Sequence, residues 1–204
     1  RYEERTVTKA SQQTQTSQQT PKGQRGPSNQ HDDGAASDRL RLTPAQLGIW
    51  YAQQLDPDNP SYQIGQYLDL RGQLDERLLR IAFTKTVADL DAMSLVLAED
   101  GDGPYAIIER PSPTADLLAV TDLRELGEEQ AVEVALERMD RELETPRPMT
   151  GRELLGTTLY RVADARWLLF QRVHHVLLDG YSAVVGLRYL AGAYTRLEKS
   201  APRG

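Results

Sequence analysis

The sequence predicts an α/β fold in which helices cover a mainly antiparallel or mixed sheet. Helix-like and strand-like segments alternate along the chain, in the order helix, strand, helix, two strands, helix, two strands, helix. The chain has 204 residues, which is enough for one ordinary domain or for one lobe of a larger one. No internal repeat is visible, so we expect a single α/β unit.

From Leu40 onward apolar residues recur along the chain, and the first predicted elements begin there. Thr43 is suited to cap a helix whose first residue is Pro44. Residues 63–72 are predicted to form a strand, and a helix is expected from about residue 75 to residue 90. The apolar face of the first helix is supplied by Leu47, Ile49, Trp50 and Tyr51.

The remaining elements have clearer patterns. A glycine-rich turn, DGDGP, separates two strand-like runs, MSLVLAE and YAIIER. Residues 127–144 have apolar side chains at helical spacing and predict an amphipathic helix. Two further strands are predicted at 153–162 and 166–175, and a last helix is expected from Ser182.

Residues 1–38 differ in composition from the rest of the chain. They are rich in Gln, Ser, Thr and Gly, and their sizeable apolar side chains are those of Tyr2 and Val7. Such a segment cannot bury enough surface to offset its conformational entropy, so we expect a disordered linker or tail. His31 lies within it and is not expected to take part in chemistry. Because the chain begins with Arg1, we expect it to be a piece of a longer protein.

Composition argues against several functional classes. The net charge is −6, whereas binding to a phosphate backbone needs a clustered basic face, so no nucleic-acid partner is expected. No apolar run approaches the roughly 20 residues that cross a bilayer, and no signal peptide opens the chain, so no membrane partner is expected. Cysteine is absent, which excludes disulfides, thiolate metal sites and a cysteine nucleophile, and fits a cytoplasmic protein.

The candidate chemistry lies in RVHHVLLDGYS, residues 172–182, which contains two of the three histidines. In an extended segment His174 and His175 point to opposite faces, so one can enter a site while the other packs inward. From the residues alone, a satisfied core or surface pair competes with a catalytic base. No metal site is predicted, because adjacent histidines diverge and a third ligand is not evident. A serine triad is disfavoured, because the G-x-S-x-G elbow is missing.

HHVLLDG matches the HHxxxDG motif of condensation domains from nonribosomal peptide synthetases, which are relatives of the chloramphenicol acetyltransferase-like acyltransferases. LTPAQLGIWYAQQLDP resembles the family's opening motif. GQLDERLLRIAFTKTVADLDAM, followed by LVLAEDGDGP, is similar to the helix, strand and turn that come next. WLLFQRVHHVLLDGYSAVV is similar to many bacterial examples. The resemblance extends from about Leu40 to Leu197.

The resemblance implies a chloramphenicol acetyltransferase-like two-layer sandwich and one lobe of a two-lobe domain. Residues 39–204 would form the N-terminal lobe of a condensation domain, and the second lobe would lie outside these 204 residues. The implied reaction forms an amide bond between a donor acyl or peptidyl thioester and an acceptor aminoacyl thioester in bacterial cytoplasm. Donor and acceptor peptidyl carrier domains would deliver phosphopantetheine arms, and no cofactor would be bound directly. The missing C-terminal lobe and a neighbouring adenylation domain are the other implied partners.

The resemblance also implies roles for the motif residues. His175 would handle the proton of the attacking amine, since a histidine pKa near 6.5 suits that task. Action as a true base and mere positioning of the amine both remain open. His174 would pack or hydrogen-bond inward. Asp179 would be a buried carboxylate that fixes the motif loop through a cation, and Gly180 would let the arm or the acyl group pass close to the backbone. The candidates for the substrate channel are Tyr181 and Ser182.

One departure from the family pattern concerns its second motif, where the family usually has an arginine associated with the motif aspartate. Here Ser94 stands at that position. The expected partners of Asp179 are then Arg172, Arg188 or backbone amides at the start of the last helix.

Three alternatives remain open. An epimerization or terminal cyclising variant, or a stand-alone acyltransferase, would use the same fold. A non-catalytic lobe would serve docking only. The chain by itself is expected to be inactive, because a site for two carrier-borne substrates needs a channel walled on both sides.

Overall fold

The computed structural model describes residues 39–201, together with the backbone of residues 2–5. The strands are β1 (Tyr2–Arg5), β2 (Leu40–Arg41), β3 (Gln63–Arg71), β4 (Leu95–Asp100), β5 (Gly103–Ile108), β6 (Ala119–Asp122), β7 (Leu155–Ala163) and β8 (Arg166–His174). The helices are α1 (Pro44–Leu55), α2 (Glu76–Asp89), α3 (Glu128–Glu144) and α4 (Gly180–Ser200). The predicted order of the main elements is therefore observed.

Two sheets are formed. The larger has the strand order β1-β3-β8-β7-β6, and the smaller has the order β2-β5-β4. The β6–β7 pair is parallel, and the other pairs of both sheets are antiparallel. The larger sheet is thus mixed, as the sequence predicts.

The short strands were not predicted. β2 has two residues and β6 has four, so neither offers enough alternation to stand out from a loop. β1 lies within the segment expected to be disordered. It pairs with β3, which would be the edge strand of the larger sheet without β1 and would leave its backbone groups on that side unpaired. Residue 1 and residues 6–38, which carry the rest of that prediction, lie outside the described residues.

Helix α1 begins as its sequence indicates, at Pro44 after the N-cap Thr43. The Thr43 side chain accepts a hydrogen bond of 3.3 Å from the backbone of Gln46, and the Gln46 side chain accepts one of 2.9 Å from the backbone of Thr43. This reciprocal capping box satisfies amide groups that a helix end leaves open.

Strand β8 is the centre of the core. Trp167, Leu169 and Val173 belong to the larger apolar cluster, which also takes in α2 and α4. Leu168 and Phe170 point the other way and pack with α3. Burial on both faces fits the apolar run at residues 167–170 in the middle of β8. It also makes its carboxyl end a rigid place from which to present a side chain.

Within residues 39–201, no helix is long and apolar enough to span a bilayer.

Candidate active site

The histidine motif lies where β8 ends and α4 begins. The backbone NH of His174 donates to the carbonyl of Leu154, and the backbone NH of His175 donates to the carbonyl of Tyr62, each at 2.8 Å. The NH of Leu177 then donates 2.9 Å back to the carbonyl of His174 and closes a turn. The chain segments that precede β3 and β7 therefore anchor the motif from both sides.

His174 is buried, with 2% of its surface exposed. Its Nδ1 accepts a hydrogen bond of 3.2 Å from the backbone NH of Val176. Its Nε2 lies 3.2 Å from Oε1 of Gln53, an oxygen that can only accept. His174 is therefore neutral, with its proton on Nε2. Burial lowers its pKa to about 4, helped by the nearby charges of His175 and Arg172.

His175 is exposed on the outer side of the turn. The sequence predicts opposite directions for the two histidines from the alternation of a strand. In the structure β8 ends at His174, and His175 is the first residue of the turn. The two rings nevertheless have opposite environments, one buried and one open. His175 is thus placed where a second molecule can reach it.

The expected burial of Asp179 is wrong. Its side chain is exposed, and its Oδ1 accepts a hydrogen bond of 2.7 Å from the backbone NH of Ser182. That bond lowers the pKa of Asp179. No ion pair among residues 39–201 joins Asp179 to Arg172 or Arg188. Asp179 is the N-cap of α4, so of the expected partners the helix amides are the ones found.

The passage of an arm or acyl group close to Gly180 stays a prediction. Gly180 is the first residue of α4 and has no positive φ, so its backbone conformation does not require glycine. A Cβ at this position would meet no atom within 4 Å, so the surface above it is open. Tyr181 is 79% exposed, and Ser182 is half-buried. These residues border the same exposed end of α4 as His175.

Ser94 does not contact Asp179, so it does not replace the family's arginine as a partner of the motif aspartate. Its hydroxyl donates a hydrogen bond of 2.6 Å to the carbonyl of Val87 inside the core. Ser94 lines a cavity of about 110 Å³ together with Leu177 and Thr157. The Thr157 hydroxyl is buried and has no hydrogen-bond partner among the described residues. The cavity lined by Ser94 therefore reaches Leu177 of the motif turn.

Sequence reasoning missed the polar residues outside the motif that hold it. Gln53 and Tyr62 lie more than 110 positions from the histidines that they contact, so their roles depend on tertiary structure. A glutamine that falls among apolar positions of α1 is the signal that could have singled out Gln53, which is 5% exposed. Within residues 39–201, no group of three His, Cys, Asp or Glu side chains is arranged to hold a metal ion.

A family model for the condensation domain matches residues 36–203. This chain belongs to the condensation-domain family. The match covers the whole described fold after β1, from before β2 to the end of α4. Its HHxxxDG segment is the turn described above, with one histidine buried and the other exposed.

Curated relatives of this condensation-domain chain are peptide synthases. It is 35% identical to the isonitrile lipopeptide synthase of Streptomyces coeruleorubidus over 84% of its own length and 12% of that protein. It is 30% identical to enterobactin synthase component F of Escherichia coli (strain K12) over 81% of its length and 13% of that protein. The chain thus spans about an eighth of these relatives.

Solved condensation domains share the fold. The first condensation domain of the CDA synthetase is 31% identical, with a TM-score of 0.74, over 82% of this chain and 42% of that one. The starter condensation domain of rhizomide synthetase, as a mutant, is 30% identical with a TM-score of 0.73, over 82% of this chain and 40% of that one. The predicted chloramphenicol acetyltransferase-like α/β fold is confirmed. The chain spans about two-fifths of these structures.

Proposed function

We propose that this chain is the motif-bearing lobe of a condensation domain that forms an amide bond between two carrier-bound thioesters. The observation that carries the proposal is the exposure of His175 on a turn anchored to the core, above a buried and neutral His174. Membership of the condensation-domain family supplies the reaction class, because these domains of peptide synthetases catalyse amide-bond formation.

In the proposed reaction, the α-amino nitrogen of the acceptor attacks the carbonyl carbon of the donor thioester. The C–N bond forms, the C–S bond breaks, and the sulfur leaves as a thiol. The amine gives up one proton, and His175 accepts it and returns a proton to the departing sulfur. An exposed imidazole has a ring nitrogen available for this transfer, whereas both ring nitrogens of His174 already have partners.

The arms that carry the two thioesters are phosphopantetheine groups on partner carrier domains. The open surface above Gly180 fits the close passage of such an arm, since no atom of the described chain occupies it. Tyr181 borders this surface and is available to contact the arm or its acyl group. Holding two thioesters in contact supplies a large part of the rate by proximity.

We further propose that a second lobe provides the opposite wall of the channel and that an adenylation domain charges a neighbouring carrier. The support is the length of the related structures, of which this chain spans about two-fifths. The open outer face at His175 supports it too, because water must be kept from the reacting groups for proton transfer to be effective.

The test is His175→Ala in the synthetase that contains this chain, assayed with loaded donor and acceptor carriers. Condensation should fall about 10²- to 10⁴-fold, the usual contribution of a positioned acid–base group. Folding and carrier loading should be unchanged, since His175 is exposed. His174→Ala is the comparison, and it should act through lower stability. Peptide formation by His175→Ala at the normal rate would remove the proton-transfer role.

A further inference from the structure

Two glutamines on one face of α1 contact the residues on either side of His175. Gln46 and Gln53 are seven residues apart, about two helical turns, so their side chains lie on the same face. Nε2 of Gln46 donates a hydrogen bond of 3.0 Å to the carbonyl of Val176. Oε1 of Gln53 accepts from the ring of His174 at 3.2 Å. The helix therefore holds the motif turn at two points.

The orientation of the Gln46 amide is fixed by the cap of its own helix. Its Oε1 accepts hydrogen bonds from the backbone NH and from the hydroxyl of Thr43, at 2.9 and 3.0 Å. The amide nitrogen must then face the other way, toward Val176. The capping box thus aims the donor that holds the motif.

The orientation of the Gln53 amide is fixed in a similar way. Its Nε2 lies within 3.1 Å of three backbone carbonyls in the segment after α1, those of Asp56, Pro57 and Asn59. A carbonyl can only accept, so the amide nitrogen belongs on that side and the oxygen faces His174. That oxygen requires a donor, which fixes the proton of His174 on Nε2.

The ring of His175 has no such support of its own. Within residues 39–201, no side chain hydrogen-bonds to it. Its position therefore depends on the backbone of the turn, which is held by Tyr62 at residue 175, by Gln53 through the ring at 174 and by Gln46 at 176. A displacement of this backbone would move the reacting nitrogen by a similar distance.

We propose that Gln46 and Gln53 are positioning residues for the condensation reaction, which hold the turn on both sides of His175 and so set the place of its ring. The inference rests on the proposed function. A misplacement of about 1 Å can lower a rate by roughly 10²-fold, so contacts that do not touch substrate can still affect kcat.

The decisive variant is Gln46→Glu in the synthetase that contains this chain. A glutamate keeps the oxygen that caps α1, so the helix should be retained. It has no NH to donate to Val176, so the turn should loosen. We expect kcat for condensation to fall about 10- to 100-fold with KM for the carriers unchanged. Gln53→Met, which removes the acceptor for His174, should show the same pattern.

Gln54→Met is the matched control, because Gln54 is the exposed neighbour of Gln53 on the same helix. Its kcat should equal that of the wild type. ¹⁵N NMR of the purified 204-residue chain gives a readout independent of activity. His174 should be the Nε2–H tautomer in the wild type and in Gln54→Met, and Gln53→Met should change its ring signals. A merely structural role predicts normal kcat for every variant that folds.

The outcomes separate the two proposals. Wild-type condensation with undiminished kcat in folded Gln46→Glu would overturn the positioning role and leave the proposed function intact. An Nδ1–H tautomer of His174 in the wild-type chain would also overturn it, since that proton excludes the Val176 contact. A wild-type synthetase that does not condense loaded carriers would instead overturn the proposed function. If Gln53→Met fails to fold, Gln46→Glu still tests the positioning role, because the glutamate keeps the oxygen that caps α1.

Discussion

The backbone NH of Val176 donates a hydrogen bond of 3.2 Å to Nδ1 of His174, so a second proton on this ring would face a donor rather than an acceptor. The ring is buried as well, and its pKa is lowered to about 4. The first histidine of the motif thus belongs to the folded core in its neutral form. It supports the turn on which His175 is displayed.

Stability should therefore depend on pH through His174. The pKa is 6.5 in the unfolded chain and about 4 in the folded one, so the unfolded chain takes up a proton first as the pH falls. The contribution of the neutral ring is complete above pH 6.5 and is lost as the pH falls toward 4, by roughly 3 kcal/mol in all. Urea unfolding at pH 7, 6 and 5 measures it.

His174→Asn is the reference for that measurement, since asparagine keeps an acceptor for the Val176 NH and does not titrate in this range. The difference between the wild type and the variant should shrink as the pH falls from 7 to 5. Parallel pH profiles of the two proteins would mean that the ring titrates normally in the folded state.

Asp179 should behave as a helix cap rather than as a buried ion. Asp179→Ala removes the acceptor for the Ser182 NH, and the Tm should fall by about 2–4 °C. Asp179→Asn should recover most of that loss, because asparagine caps helices as well as aspartate does. Thermal unfolding followed by circular dichroism checks both variants.

Asp75 offers a matched pair for that test, since it caps α2 with the same geometry, at 3.0 Å from the NH of Leu78. Asp75→Ala and Asp75→Asn should show the same ranking. An Asp179→Asn variant as unstable as Asp179→Ala would show that the carboxylate charge itself is required, as the family resemblance had suggested.

Gly180→Ala should affect the condensation rate without affecting stability. A methyl group there meets no atom of the described chain, and the backbone is helical, so Tm should be unchanged or slightly higher. Condensation should still fall, by about tenfold or more, if the phosphopantetheine arm passes above this position. Rates with loaded carriers, compared with thermal unfolding, check the prediction.

Gly48→Ala is its control. Gly48 is an exposed glycine of α1 that also has open space around a built Cβ, so the same chemical change there should alter neither rate nor Tm beyond a small helix-propensity gain. Equal condensation rates for Gly180→Ala and Gly48→Ala would show that the phosphopantetheine arm does not pass close above Gly180.

The long elements were predictable because their periodicity is local. Apolar side chains recur at helical spacing in residues 127–144, and the observed helix is Glu128–Glu144. The burial of Asp179 was implied by the family resemblance, and it is wrong. The last helix was expected from Ser182, whereas it begins at Gly180. With the helix beginning two residues earlier, the aspartate is in the N-cap position.

Other features of the site could not be predicted, because they depend on contacts between distant segments. The contact of Gln53 with His174 joins residues 121 positions apart, and pattern reasoning on one sequence does not reach that far. The pairing of β6 with β7 is of the same kind, because four residues show no clear period. Local propensity thus predicted where the histidines lie, and tertiary structure determines how they are held.

The chain alone should not condense loaded carriers. His175 is exposed, and the neighbouring surface carries Tyr181 at 79% and Val185 at 41% exposure. Without an opposite wall, water reaches the reacting groups and the two arms are not held in contact. Adding a polypeptide with the rest of a condensation domain should restore product.

The assay supplies loaded donor and acceptor carriers to the purified 204-residue chain, with and without that addition, and follows product by mass spectrometry. His175→Ala in the restored mixture is the control and should abolish the gain. Turnover by the chain alone would show that one lobe makes a complete site, and a compact acyltransferase would then be the better account.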